Sequence, residues 1–427
     1  MTRERRLRRM VLWGCLWTLL ILTGCSWLYI NYAIPDHLNL VVSEEEIFDF
    51  PLPLGVTFES ECEEVVLGNA SDIPAGQVKI QAAEPVRMYG TAEGNYKIGM
   101  KLFGLIQLKD IQVDVVSDMY AIPCGTPIGI YLRSNGVMVI GTGEIVSGTG
   151  HVVEPALGLL KTGDYIEMVN GQELEDKSDL IAAVNASGGD VIHMEVRRNG
   201  EVVGVDMNPV QAEDGSYKLG AWVRDDTQGI GTVTYVDMNG GFGALGHGIS
   251  DSDTGQLVDT RGGELYSTEI LGIEKGMPGA PGVMSGVIYY GPGTKLGDVA
   301  SNTEEGIFGT VNTRFQDAAE SAAIPVGFRQ DVKKGNAVIR SSVSGEVKDY
   351  DIEIQKVDHA ALQKNKGMTI RVVDEELLAL TGGIVQGMSG SPVIQNGKLV
   401  GAVTHVLVND PTRGYGIFIE NMLEAAE

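Results

Sequence analysis

Cysteine and positive charge are both scarce in this chain of 427 residues. Four cysteines are spread over the sequence, and no two of them have the close spacing of a metal-ligand pair. Lys and Arg number 32 against 57 Asp and Glu, which gives a formal net charge of −25 at pH 7. Such an acidic surface would repel nucleic acid. The composition therefore argues against a cysteine-based metal module and against a nucleic-acid-binding protein.

A basic flank at residues 1–10 is followed by an uncharged, apolar run. No charged residue occurs from Val11 to Pro35, and a run of this length can span a bilayer as a helix. We therefore expect a transmembrane signal anchor at residues 11–34, with the bulk of the chain outside the cytoplasm. Leu22-Thr23-Gly24-Cys25 looks like a bacterial lipobox, in which case Cys25 would instead be a lipidated N-terminus.

Glycine is abundant, and its abundance predicts a mainly β protein. It accounts for 57 residues, roughly double the usual ~7%, and with frequent Val, Ile and Thr it favours short strands joined by tight turns. Residues 38–118 alternate apolar and polar side chains, as in Val78-Lys79-Ile80-Gln81, and predict a β-rich region. Cys62 and Cys124 fall in the expected exported part, where they could form one disulfide or remain two thiols.

Residues 119–210 have the pattern of a PDZ domain. The stretch from Gly158 to Gly171 looks like the PDZ signature and ends in Asn-Gly, a hairpin turn signal. Ser178 then caps a predicted helix beside a peptide groove. Such a groove binds an extended peptide by strand addition, with main-chain N–H groups meeting its terminal carboxylate. Gly129-Ile130-Tyr131-Leu132 is similar to that carboxylate loop, although the same residues could simply begin a strand.

The stretch Gly387-Met388-Ser389-Gly390-Ser391-Pro392 carries the strongest chemical signal. Glycines on both sides of Ser389 allow backbone angles that a Cβ would forbid, and they leave room for a substrate carbonyl to approach main-chain N–H groups. An oxyanion hole is built in this way. Ser-Gly-Ser also occurs in ordinary turns, so a catalytic interpretation requires a base within reach of the hydroxyl.

Six histidines limit the choice of that base. His247 lies in a glycine-flanked loop just after the apolar run from Gly231 to Val236, and a histidine at a strand end can present its ring to a cleft. His405 stands on an apolar strand, where a packed or substrate-wall role is more usual. The other four have no small-residue frame and are expected on the surface or in the core: His37, His151, His193 and His359.

Three stretches together resemble the SpoIVB peptidase family: GALGHGISD, VVDEELLALTGGIVQGMSGSPV and GAVTHVLVNDPTRGYGIFIE. Members of this family are PDZ-containing serine peptidases of endospore-forming bacteria, similar in fold to chymotrypsin. The resemblance implies that His247 is the general base, Ser389 the nucleophile and Asp374 the acid that orients the histidine. From the glycine-flanked serine turn we expect the oxyanion hole at Gly387 and Ser389, and acyl transfer by these residues needs neither a metal nor an organic cofactor. Residues 211–427 would form the double β-barrel peptidase domain.

The acid remains open between several carboxylates. Asp374 precedes Ser389 by 15 residues, whereas chymotrypsin-like enzymes usually place the acid far from the serine, on the first barrel. Asp374-Glu375-Glu376 also has the pattern of an acidic first turn of a helix. Asp237 and Asp251 are closer to the histidine in sequence. Asp251 itself begins an expected solvated turn, because the twelfth position of a calcium loop starting there is Gly262 rather than Glu.

The resemblance also implies a role in sporulation signalling. Limited cleavage of a membrane-associated regulatory protein between forespore and mother cell would release an intramembrane protease and so activate a late sigma factor. Self-cleavage is typical of the family. Expected partners are the protein substrate, a peptide or C-terminus in the PDZ groove, and the membrane through the N-terminal helix. The alternatives are a non-catalytic PDZ scaffold and an HtrA-like quality-control protease, in which the PDZ domain usually follows the catalytic domain.

Overall fold

The chain forms two compact units in the computed structural model, one of Met1–Met119 with His359–Leu362 and one of Tyr120–Asp358 with Gln363–Glu427. The structure describes residues 12–18, 20–21, 24–25, 27–29, 34–48, 56–60, 64–68, 77–80, 85–102, 104–318, 322–359 and 361–427. The predicted basic flank at 1–10 lies outside these residues, as does Cys62, and the predicted anchor at 11–34 lies only partly within them. No helix in the described ranges is both long and apolar enough to cross a membrane.

The first unit is built from strands, as the alternating pattern of residues 38–118 predicts. Its strands are β1 His37–Val41, β2 Glu45–Phe48, β3 Val56–Ser60, β4 Val65–Gly68, β5 Gln77–Ile80, β6 Val86–Gly90, β7 Gly94–Leu102 and β8 Ile106–Val116. They form a sheet in the order β1-β8-β7-β3-β5 and a second sheet in the order β2-β6-β4. Alternate residues of β8, Ile111 and Val113, are fully buried with Phe58 in the core of this unit.

The second unit is also mainly β and carries four helices in its described residues. Its strands are β9 Tyr120–Thr142, β10 Ile145–Val146, β11 Val152–Val153, β12 Tyr165–Val169, β13 Gln172–Glu173, β14 Ile192–Arg198, β15 Glu201–Met207, β16 Val210–Gln211, β17 Tyr217–Lys218, β18 Ala221–Asp237, β19 Gly241–Ala244, β20 Thr260–Tyr266, β21 Thr268–Glu274, β22 Val283–Ile288, β23 Lys295–Thr303, β24 Gly306–Val311, β25 Ile324–Pro325, β26 Gly335–Ser341, β27 Lys348–Val357, β28 Met368–Val372, β29 Pro392–Gln395, β30 Lys398–Leu407 and β31 Asp410–Phe418. Its helices are α1 Lys177–Ala186, α2 Thr313–Ala318, α3 Glu375–Thr381 and α4 Ile419–Ala426, with 3-10 turns at Arg329–Asp331 and Lys364–Lys366.

The predicted PDZ elements occur as a helix packed on a sheet. The strands follow the order β15-β14-β12-β9-β18, and the Asn170-Gly171 turn joins β12 to β13 with both residues at positive φ. Helix α1 buries Leu180 and Val184 in the same apolar core as the sheet. Its N-cap is Asp176, whose side chain accepts hydrogen bonds from the N–H groups of Ser178 and Asp179. The observed N-cap therefore lies two residues before Ser178, the predicted one.

This unit also contains two closed rings of six strands, in agreement with the predicted double barrel. The first follows the order β9-β18-β19-β24-β23-β20 and closes because β20 pairs with both β23 and β9. The second follows the order β26-β27-β28-β31-β30-β29. Each ring encloses its own apolar core, with Ile130, Val233 and Leu265 in the first and Ile352, Ile370 and Val393 in the second.

Strands β9 and β18 run through both the PDZ-type sheet and the first barrel. Their pairing extends from Ala221 and Thr142 at one end to Asp237 and Ala121 at the other. The first half of β9 is therefore a barrel strand, although it lies inside the predicted PDZ range of 119–210. The PDZ-type elements are inserted between the first two strands of the barrel, so the predicted boundary at residues 210 and 211 does not separate two structural units.

Candidate active site

Ser389 lies in a sharp turn that precedes β29. Gly387 and Gly390 have φ values of 103° and 94°, which a residue with a Cβ rarely adopts. A Cβ on Gly390 would lie 2.1 Å from the carbonyl oxygen of Thr232 and 2.5 Å from the N–H nitrogen of Leu245. The Thr232 N–H also donates to the Ser389 carbonyl at 3.2 Å. The serine of the second barrel is therefore pressed against strand β18 of the first barrel.

The Ser389 hydroxyl donates a hydrogen bond to a main-chain carbonyl. Its Oγ lies 2.7 Å from the carbonyl oxygen of Thr404, on strand β30. The residue is only half-buried. Rotation about the Cα–Cβ bond would release the hydroxyl from Thr404 toward a neighbouring base, and such tightening on substrate binding is common in serine peptidase sites.

The predicted oxyanion hole consists of the main-chain N–H groups of Gly387 and Ser389. In the described part of the chain, no hydrogen bond uses the N–H of Gly387 or Ser389, whereas those of Met388 and Gly390 already donate to carbonyl oxygens. Thr232 Oγ1 donates to the Gly387 carbonyl at 2.8 Å and fixes the orientation of that peptide. The arrangement leaves two donors available for a developing oxyanion.

His247 follows β19 and a left-handed bend at Leu245 and Gly246, whose φ values are 71° and 68°. Its Nδ1 lies 2.9 Å from the Gly248 carbonyl oxygen. Because a carbonyl can only accept, the proton sits on Nδ1 and leaves Nε2 as a proton acceptor. Burial lowers the pKa of His247, and the bond to Gly248 opposes that effect. The ring is therefore neutral at neutral pH, as a general base requires.

The ring of His405 packs against the ring of His247. The two ring centroids are 4.9 Å apart at an angle of 37°. His405 Nδ1 is buried, and no hydrogen-bond partner for it exists in the described residues. Burial, followed by the nearby His247 and Lys366, lowers the pKa of His405 to about 4. The Thr404 carbonyl accepts the hydrogen bond of Ser389, and the next residue, His405, contacts His247. Neighbouring residues of β30 therefore contact both Ser389 and His247.

In the described residues Asp374 and His247 each have other hydrogen-bond partners, and no hydrogen bond joins them. Asp374 is the N-cap of α3, where its Oδ1 accepts the Leu377 N–H at 2.9 Å and its Oδ2 the Asp351 N–H at 3.3 Å. The alternative interpretation, a helix first turn, describes this position.

The two rival aspartates also have structural partners. Asp237 Oδ1 accepts the N–H groups of Asn239 and Gly241 at 2.7 and 2.8 Å. Asp251 is 1% exposed, accepts two N–H groups of its own turn, and forms an ion pair with Arg224. The prediction of a solvated turn at Asp251 is therefore wrong, because a guanidinium from strand β18 reaches and buries this carboxylate.

Gly129-Ile130-Tyr131-Leu132 does not form a carboxylate-binding loop. The four residues lie in the middle of β9, where Gly129 pairs with Ile230 on one side and Tyr266 on the other. Both edges of the strand are occupied, so no peptide can be added there. The alternative of ordinary strand structure is the correct one.

The open groove lies instead between α1 and the start of β18. At residues 221–224, strand β18 pairs with β9 on one edge only. The loop before it contains Leu219 and Gly220, the latter at a φ of 69°. The groove is lined by residues of the helix, the loop and the strand: Leu180, Ile181, Val184, Asn185, Leu219, Gly220, Ala221, Trp222 and Val223. The sequence predicted one side of this groove, helix α1, but not the strand and loop that form the other side.

Residues 215–423 match the family model described as SpoIVB peptidase S55. The matched stretch contains Ser389 and His247, and the chain is a serine peptidase. The resemblance drawn from the three sequence stretches is thereby confirmed.

Solved structures similar to parts of the chain include a PDZ domain and a protease. The PDZ domain of the SdrC-like protein from Listeria monocytogenes is 18% identical, with a TM-score of 0.18, over 21% of this chain and 87% of that one. The Rv3671c protease in its inactive form is 15% identical, with a TM-score of 0.24, over 46% of this chain and 84% of that one. No curated protein matches the chain.

Proposed function

We propose that this serine peptidase acts in sporulation signalling. It cleaves a membrane-associated regulatory protein in the space between forespore and mother cell, so that an intramembrane protease and a late sigma factor become active. The observation that carries this proposal is the SpoIVB family match across the residues that hold Ser389 and His247. In this account residues 11–34 anchor the chain in the membrane, and the peptidase works on the extracytoplasmic side.

Acyl transfer follows from the arrangement of Ser389 and His247. The hydroxyl turns away from Thr404, and His247 Nε2 takes its proton as Oγ attacks the scissile carbonyl carbon. The N–H groups of Gly387 and Ser389 donate to the resulting oxyanion. The imidazolium then gives its proton to the departing amine. Water, activated by the same Nε2, hydrolyses the acyl-enzyme and restores Ser389.

The groove beside α1 is the proposed capture site for a peptide segment or C-terminus of a partner. An extended peptide can add to the unpaired edge of residues 221–224, while Ile181 and Trp222, both largely exposed, offer apolar contacts to its side chains. Main-chain N–H groups of the loop at Leu219 and Gly220 would meet a terminal carboxylate. Capture at this site brings a protein substrate to the same unit that carries the catalytic cleft.

Cleavage of membrane-embedded candidates in vesicles tests the proposed substrate class. Full-length chain and Ser389→Ala chain are each incubated with reconstituted regulators of intramembrane proteases, and the products are identified by mass spectrometry. We expect a small number of defined cuts near the membrane surface by the wild type alone. Broad degradation of unfolded proteins, with no cut in any regulator, would favour the HtrA-like alternative.

A serine-reactive fluorophosphonate distinguishes the peptidase from the non-catalytic scaffold. An activated serine reacts with such a probe, whereas an ordinary surface hydroxyl does not. Incubation of the purified full-length chain should also produce self-cleaved fragments, and the Ser389→Ala chain should stay intact. Capture of a partner without probe labelling and without any fragments would show that the chain acts as a scaffold.

A further inference from the structure

The hairpin of β21 and β22 runs alongside the chain segment that leads from helix α3 to the serine turn. At the end of α3, the Gly276 N–H donates to the Thr381 carbonyl at 2.8 Å. Further along, Val283 forms a parallel bridge with Gln386, three residues before Ser389. The hairpin therefore contacts this segment both where it leaves the helix and where it enters the turn of the nucleophile.

Both main-chain groups of Gln386 form hydrogen bonds with the hairpin. The Gln386 N–H donates to the Gly282 carbonyl at 2.8 Å, and the Gln386 carbonyl accepts the Met284 N–H at 2.9 Å. This carbonyl and the Gly387 N–H belong to one peptide group, and none of the described peptide bonds is cis. In a trans peptide the C=O and N–H bonds point in opposite directions. The bond from Met284 therefore sets the direction of the Gly387 N–H, one of the two predicted oxyanion donors.

The backbone of the turn does not fix this peptide group by itself. Gly387 has a φ of 103°, and because glycine populates positive and negative φ about equally, the peptide group before it can rotate at little local cost. Half a turn would place the Gln386 carbonyl where the oxyanion forms. The next two peptide groups have other partners, since the Gly387 carbonyl accepts Thr232 Oγ1 and the Met388 carbonyl accepts the Ser391 N–H. For the first peptide group, the partner is β22.

The side chain of Met284 contacts the same peptide group. Met284 is 6% exposed and belongs to the apolar core of the second barrel. A Cβ on Gly387 would lie 2.6 Å from Met284 Cε and 3.1 Å from Met284 Cβ. The side chain therefore fills the space beside the Gly387 Cα, and packing this close resists a shift of the peptide toward β22. One residue thus restrains the Gly387 N–H through both its main chain and its side chain.

We propose that Met284 is a positioning residue of the oxyanion hole, which holds the Gly387 N–H in the direction of the reacting carbonyl. The proposal rests on acyl transfer at Ser389. Met284 acts through Gly387 and takes no part in proton transfer. As Ser389 Oγ attacks, the electron pair of the carbonyl moves to its oxygen, and the negative charge meets a donor that is already oriented. No reorganisation of the peptide is then needed at the moment of reaction.

Steady-state hydrolysis of a short peptide by full-length Met284→Ala, with Met277→Ala as the matched control, tests this role. Met277 lies in the connection between β21 and β22 and is 63% exposed. Met284→Ala opens space beside Gly387, so kcat should fall about 10- to 100-fold with KM nearly unchanged, less than the roughly 10²- to 10³-fold loss of a whole donor. Met277→Ala should stay within about twofold of wild type. Met284→Leu conserves volume and should keep kcat within about fivefold.

Inhibition by a peptide aldehyde separates positioning from a merely structural role. The aldehyde adds reversibly to Ser389 Oγ, and the oxygen of the resulting hemiacetal occupies the oxyanion hole. Its inhibition constant should rise in Met284→Ala by about the factor by which kcat falls. Titration with a fluorophosphonate gives the concentration of reactive enzyme in each sample. A misfolded fraction would lower that concentration and leave kcat and the inhibition constant of the reactive enzyme unchanged.

Two results would overturn the proposal. One is a kcat and an inhibition constant of reactive Met284→Ala that equal those of Met277→Ala, and the other is a fall in kcat without a rise in the inhibition constant. Should Met284→Ala not fold, Met284→Val replaces it, because valine keeps a buried apolar side chain but lacks the Cε that reaches Gly387. Undiminished hydrolysis by Ser389→Ala would instead refute the assigned peptidase site, a separate failure.

Discussion

The serine turn contains two hydroxyls with opposite environments, Ser389 and Ser391. Ser389 is half-buried with its Oγ in a hydrogen bond, whereas Ser391 is fully buried and its Oγ has no partner in the described residues. An unsatisfied buried hydroxyl costs free energy. We predict that Ser391→Ala leaves peptide hydrolysis within a few-fold of wild type and raises the free energy of unfolding by up to about 1 kcal/mol.

Ser389→Ala is the paired variant for that measurement. It should abolish hydrolysis and leave the urea unfolding curve nearly unchanged, because a half-buried hydroxyl contributes little to stability. Both variants are measured with one peptide substrate and one urea titration. An inactive Ser391→Ala beside an active Ser389→Ala would show that the motif had been assigned to the wrong serine.

The predicted serine and histidine have a distinctive local sequence pattern, and the predicted acid does not. Ser389 and His247 stand among glycines, and this local pattern reflects the close backbone approach seen at Gly390 and Gly246. A catalytic carboxylate has no comparable pattern of neighbouring residues in the sequence. The pattern around Asp374 fits a helix N-cap as well as a triad acid, and the structure shows Asp374 as such an N-cap.

At the scale of elements, one buried ion pair ties the peptide groove to the histidine loop. Arg224 lies on the open edge of β18, and its guanidinium pairs with Asp251, four residues after His247. The Asp251 side chain is 0% exposed and that of Arg224 is 32% exposed. Removing one partner of such a pair leaves a buried charge without compensation.

We therefore predict that Arg224→Met lowers the free energy of unfolding by on the order of 2–3 kcal/mol and also lowers kcat, since the loop of His247 loosens. Lys177→Met is the control, because Lys177 pairs with Asp225 on the same strand but its side chain is 46% exposed. That variant should cost at most about 1 kcal/mol. Equal effects of the two substitutions in urea titrations would contradict a special role for the Arg224 pair.

Helices, strands and turns were predictable where the local sequence pattern is strong. The sheet or barrel to which each strand belongs was not predictable. The Asn170-Gly171 hairpin and helix α1 follow from turn and capping signals. The path of β9 does not, because an apolar strand shows the same alternation whether it pairs within one sheet or passes from one sheet into a barrel. For that reason the sequence placed Gly129 in a loop, whereas its partners on both sides make it a barrel residue.

At the scale of the whole molecule, the groove proposed to bind a partner peptide and the site of peptide hydrolysis are separate parts of the second unit. Ile181 lines the groove and is 55% exposed, so a charge there should oppose an incoming apolar side chain without disturbing the core. We predict that Ile181→Lys reduces the rate of cleavage of a groove-binding protein substrate about tenfold or more, while hydrolysis of a short peptide that does not fill the groove stays near wild type.

Val191→Lys is the matched control, since Val191 is 58% exposed and lies outside the groove lining. It should leave both rates unchanged. Equal loss of protein and short-peptide cleavage in Ile181→Lys would show that the groove is needed to form the active cleft rather than to deliver a substrate to it.

The account as a whole depends on an activated serine at the contact between two barrels. Labelling of the full-length chain with a fluorophosphonate, followed by peptide mass spectrometry, tests this most directly. We predict one modified residue, Ser389, with the label abolished in Ser389→Ala, reduced at least a hundredfold in rate in His247→Ala, and retained in Ser391→Ala and Ile181→Lys. A label on any other residue, or peptide hydrolysis that persists in Ser389→Ala, would contradict the account.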